Sequence, residues 1–90
     1  MIKNIQAVLA NRRGNRSRKY QALFGSPDGE YVLKDICRLA HVAHSTYVKD
    51  DPARTQMNEG ARNLALIILQ LAKVDPQRIA EQLQQPQEEI

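Results

Sequence analysis

Residues 51–74 read DPARTQMNEGARNLALIILQLAKV, and this stretch decides the fold. Asp51-Pro52 is an N-cap followed by proline at the first helical position, where the missing N–H is no loss. Met57, Ala61, Leu64, Ile68 and Leu71 then recur at three- and four-residue intervals. The spacing predicts the longest helix of the chain, about 52–74, with those five side chains on one face. Leu66, Ile67 and Leu69 fall off that face. A helix that is apolar around its circumference must be covered around its circumference, which a single neighbouring helix cannot do. Either the N-terminal arm folds back over these three residues or another chain packs there; they are expected to form a protein interface, covered by sister chains or by a larger protein.

Outward from that helix the punctuation repeats. Ser26-Pro27 is a second cap-and-proline pair, with Asp28 and Glu30 placed near the positive end of the helix dipole. Val32, Ile36, Leu39, Ala40 and Ala43 make one stripe, predicting a helix over about 28–44. Ser45 to Lys49 reads as a loop. Asp75-Pro76 opens a short last helix carrying Ile79 and Leu83. At the other end, Ile2, Ile5, Val8 and Leu9 predict a short helix over 2–12, interrupted by Gly14-Asn15. Tyr20, Leu23 and Phe24 restore the spacing before Gly25. The expected architecture is all-α: a helical hairpin (28–44 and 52–74), a basic N-terminal helical arm and a short C-terminal helix. The corresponding segments are an arm over 1–25, a helical domain over 26–84 and a flexible tail over 85–90.

The chain has 90 residues, enough for one domain. Four aromatic residues and no tryptophan require an aliphatic core, and a lone cysteine, Cys37, excludes an internal disulfide. No apolar segment of signal-peptide type follows Lys3. The longest apolar run, Leu64 to Leu69, falls far short of the ~20 residues that span a bilayer. An intracellular protein without a membrane segment is expected.

Charge is segregated. Residues 1–27 hold six basic and no acidic side chains, whereas 28–90 hold seven basic and ten acidic ones. A basic arm on a mildly acidic body suits a polyanion, because Lys and Arg displace counterions from phosphate. Arg12, Arg13, Arg16, Arg18 and Lys19 are the candidate nucleic-acid contacts. They are expected to act without base selectivity on DNA, or to meet an acidic protein surface.

No pattern points to chemistry on a small molecule. Cys37, His41 and His44 stand at i, i+4 and i+7 and would share a face on one continuous helix, but zinc sites usually draw ligands from two segments. Asp50-Asp51 is better explained by capping, and Glu59 by an i,i+3 ion pair with Arg62. Gly60, inside the long helix, is expected to admit close approach of another helix, the one holding Cys37. Phosphate-cradling glycine loops are missing from the sequence. No metal, cofactor, small-molecule substrate or enzymatic activity is expected.

Two resemblances bear on function. Val32 to Thr46 resembles the helix-turn-helix of LacI-type repressors, in which a Ser-Thr pair opens the recognition helix. That likeness implies a regulator using residues 45–49 and requires positive φ at His41. The acids of Lys49-Asp50-Asp51-Pro52 would then lie against the phosphates.

The second resemblance runs over about residues 20–75. Phe24-Gly25-Ser26-Pro27-Asp28-Gly29-Glu30, then Ser45-Thr46-Tyr47, Asp51-Pro52 and Asn58-Glu59-Gly60-Ala61-Arg62 occur in order. Together they resemble a small family of tailed-bacteriophage virion structural proteins, typified by one from a Bordetella podophage. Ala61-Arg62 departs from the two successive basic residues expected there. The resemblance implies a virion-associated structural or assembly protein, made in the host cytoplasm and packed as a homo-oligomer or against a larger virion protein. A pure protein-interaction module, without DNA contact, is the remaining alternative.

Overall fold

A computed structural model describes residues 5–84, with side chains from Gly14 onward. Four helices follow one another: α1 (Ile5–Phe24), α2 (Pro27–Leu39), α3 (Pro52–Leu71) and α4 (Pro76–Gln84). The described residues contain no strand, so the fold is all-α. The segment 85–90 lies outside the described residues.

Gly14-Asn15 does not break α1, which is continuous for 20 residues. A glycine inside a helix costs only about 1 kcal/mol, and the C-terminal half of α1 is held by tertiary contacts. Tyr20 and Phe24 pack against the core, and the Ser17 hydroxyl donates to the carbonyl of Leu71 at 2.8 Å.

Two residues turn α1 into α2. The Ser26 hydroxyl donates to Leu23 O at 2.9 Å and accepts from the N–H of Gly29 at 3.0 Å, closing one helix and capping the next. Gly29 is buried there because a Cβ on it would lie 1.8 Å from the Leu23 carbonyl oxygen. Glycine at position 29 is thus a steric requirement.

Both long helices end earlier than their apolar spacing predicts, α2 at Leu39 and α3 at Leu71. The endings share one chemistry. His41 and Lys73 adopt left-handed φ of 61° and 59°. Val42 N–H then reaches Cys37 O at 3.0 Å, and Val74 N–H reaches Leu69 O at 2.9 Å. These are Schellman caps, in which the residue after the left-handed one folds its apolar side chain back on the helix.

The core consists of Leu33 and Cys37 from α2, Ala40 and Val42 from its cap, Ala65, Leu69 and Ala72 from α3 and its cap, and Ile79 and Leu83 from α4. This only partly matches the expected faces: Ala40 is buried and Ala43 and Ile68 pack against the core, but other members of the expected stripes face out. On α2, Val32 and Leu39 are exposed. On α3, Met57, Ala61 and Leu64 point outward, and the inward face carries the small side chains that let α2 and α4 approach. Leu69, expected at an interface, is completely buried in the core. The Cα extents are 55 × 36 × 17 Å. The smallest of these corresponds to about two helix layers 8–10 Å apart.

Candidate assembly surface

Capping by Asp51, whose carboxylate accepts from Arg54 N at 3.0 Å, starts α3 at Pro52. Counting from there, Ala53, Met57, Gly60, Leu64, Ile67 and Leu71 recur with spacings of four, three, four, three and four, the first five exposed and Leu71 half-buried. Met57, Leu64 and Ile67 are 75%, 60% and 51% exposed. Space around Gly60 is open, with no atom within 4 Å of where a Cβ would stand. The glycine therefore does not serve packing within the chain, and its expected role against α2 is not the one it plays. Of the three residues expected to meet a partner, only Ile67 lies on this outer stripe. Leu66 is half-buried against the core, and Leu69 lies within it. Sequence periodicity marks one stripe with Leu66, Ile67 and Leu69 off it, whereas the buried face is built on Ala65, Leu69 and Ala72.

The segment between α2 and α3 carries no recognition helix. Residues 45–48 have no helical structure. They run as a strap tied to the first half of α3: Thr46 Oγ1 donates to Glu59 Oε1, and Asn58 Nδ2 donates to Thr46 O at 3.0 Å. Val48 N–H donates to Thr55 Oγ1 at 2.9 Å. Thr46 is buried as a result. His41 does take the positive φ that the repressor likeness needs, but it ends α2 in a cap, and no helix follows. Glu59, expected to pair with Arg62, instead accepts from Thr46. The motifs Ser45-Thr46-Tyr47, Asp51-Pro52 and Asn58-Glu59 thus form one hydrogen-bonded unit that sets the direction of α3.

The basic residues lie along α1. Arg16, Arg18 and Lys19 are exposed, with the Arg16 guanidinium 6.0 Å from the centre of the Tyr20 ring. The side chains of Arg12 and Arg13 lie outside the described residues. The helical backbone nonetheless places Arg12, Arg16 and Lys19 at i, i+4 and i+7, a single-sided row. Arg18 departs from that row.

The trio Cys37, His41 and His44 is not gathered, because α2 ends before it reaches the histidines. Burial pushes the Cys37 thiol up to about 11, which keeps it protonated and a poor ligand or nucleophile at neutral pH. Among the described residues, no group of three or more His, Cys, Asp or Glu side chains could hold a metal ion. A cleft of about 340 Å³ opens between the end of α1, the start of α2 and α4, with Phe24, Leu33 and Ile79 among its apolar lining and Lys34, Lys73 and Arg78 among its charged residues. Sequence reasoning missed it, since its lining comes from four separate segments. No helix among the described residues is long and apolar enough to cross a membrane.

In a comparison with known families, the model of the Bbp19-like phage protein family aligns with residues 20–84, from the second half of α1 to the end of α4. Neither the curated proteins nor the solved structures contain a match to the chain.

Proposed function

Because the chain belongs to the Bbp19-like phage protein family, we propose that it is a non-enzymatic structural or assembly component of the virion. The observation that carries this is the outward stripe of α3, three large apolar side chains half or more exposed with no charge among them. A patch of that kind on a small domain is a surface for another protein. The basic row on α1 supplies a second contact, to packaged DNA or to an acidic protein face. The protein is made in the host cytoplasm and ends in the particle.

Mass spectrometry of purified virions tests the location: the chain should co-purify with particles in stoichiometric amount, and its absence from them would overturn the proposal. The DNA contact is read separately. Five to six phosphate contacts give a log–log salt slope of about −4 to −5. Alanine at Arg12, Arg13 and Arg16 should then remove binding to all sequences equally. Binding that is absent from the start would leave a protein-interaction component only.

A further inference from the structure

We infer that α3 pairs with α3 of a second copy of this chain, antiparallel, about a two-fold axis midway between Gly60 and Leu64. This names the partner that the proposed function leaves open. The alternating spacing of four and three along the outward stripe is that of a coiled-coil seam, about 27 Å long over eighteen steps of 1.5 Å. A two-fold at that point sets Leu64 opposite Gly60, Leu71 opposite Ala53, and Ile67 opposite Met57. In two of these layers a leucine meets the smallest residues of the seam, and every layer is met twice by symmetry. The seam is therefore complementary to itself, as a two-fold interface requires.

The parallel arrangement fails the same test. It would place Gly60 on Gly60 and Ala53 on Ala53, leaving two layers empty, where empty apolar volume is costly. The antiparallel pairing also sets Arg54 beside Ile68 on one flank of the seam and Gln56 beside Gln70 on the other, so no like charges meet at either edge. Gly60 explains itself in this arrangement: its Cβ position is open in the monomer and is the hole for a leucine in the pair. A single helix pair of this length buries less than the roughly 1,600 Å² of a standard interface, so micromolar self-association is expected.

The test is sedimentation of the full chain from micromolar to near-millimolar concentration, with disulfide trapping. The wild type should pass from monomer to dimer. Leu64→Glu should weaken association by more than about tenfold, since a carboxylate would be buried without a partner, while leaving helix content unchanged, because Leu64 is exposed in the monomer. Met57→Cys and Ile67→Cys chains should each stay uncrosslinked alone and form a disulfide when mixed. The native Cys37 is buried and does not interfere. A chain that remains monomeric, a dimer indifferent to Leu64→Glu, or a Met57→Cys chain that crosslinks to itself would overturn the inference. A monomer that still enters virions would sink this pairing and leave the proposed function standing. A dimer absent from virions would do the reverse.

Discussion

The hydroxyl of Ser17 donates to the carbonyl of Leu71 at 2.8 Å, joining positions 54 apart. Leu71 is the last residue of α3, and its carbonyl has no partner within the helix. One side chain thus finishes α3 and anchors the basic helix α1 to the domain. Ser17→Ala should lower stability by about 1 kcal/mol, a fall in melting temperature of about 4–8 °C for a domain of this size. Thermal unfolding followed by circular dichroism checks it. An unchanged transition would mean that α1 is not coupled to the fold through this bond.

Two glycines should respond to alanine with opposite signs. At Gly29 the new methyl would stand 1.8 Å from the backbone oxygen of Leu23, and backbone cannot yield as a side chain does. Gly29→Ala should cost about 2 kcal/mol or more, because α1 and α2 must separate to admit it. At Gly14 nothing lies within 4 Å, and the residue is inside a helix. Gly14→Ala should stabilise by up to about 1 kcal/mol. Urea unfolding of both variants gives the comparison directly.

The starts of α2 and α3 were legible in the sequence because a cap and a proline act locally: Ser26-Pro27 and Asp51-Pro52 begin helices where they stand. The ends were not, because His41 and Lys73 occupy the position where glycine would have announced a stop. A signal was present all the same. Leu39-Ala40-His41-Val42 and Leu71-Ala72-Lys73-Val74 repeat one pattern, with valine placed to fold back on the helix. The buried face of α3 was illegible for a different reason. Two apolar stripes compete on it, and the shape of α2 and α4 selects the one built on Ala65 and Ala72. The tie between Thr46 and Glu59 spans thirteen positions and depends on where the strap runs. Of the three residues expected at an interface, Ile67 is exposed, Leu66 is half-buried and Leu69 is claimed by tertiary packing in the core, which helical spacing alone does not reveal.

Those caps make a third prediction. A residue with a Cβ in the left-handed region carries about 1–2 kcal/mol of strain. Part of the relief on changing it to glycine is offset by the greater freedom of glycine in the unfolded chain. His41→Gly and Lys73→Gly should therefore each stabilise the protein by about 0.5–1 kcal/mol, with the helix boundaries unchanged. Chemical denaturation of the two variants measures the gain, and a loss at either position would show that the native side chain contributes contacts that outweigh its strain.

The Cys37 thiol sets a pH limit on the fold. Its ordinary value of 9.0 is raised to about 11 by burial alone, since desolvation penalises the thiolate. An acid whose folded value is raised costs stability once pH is high enough for the unfolded chain to ionise it while the folded chain still holds the proton. Below pH 9.0 the thiol is protonated in both states and stability does not depend on it. Between pH 9.0 and about 11 the unfolded chain releases the proton first, so stability falls as pH rises across that window. Lysine and tyrosine side chains titrate in the same range, so the measurement is a difference. Denaturation midpoints of the native chain and of Cys37→Ala should differ by a constant below pH 9.0 and converge above it. The same burial predicts that a thiol reagent labels Cys37 at the rate of opening of the fold, slowed further by any ligand or partner that stabilises the folded state; labelling at the rate of a free thiol would place Cys37 outside the core.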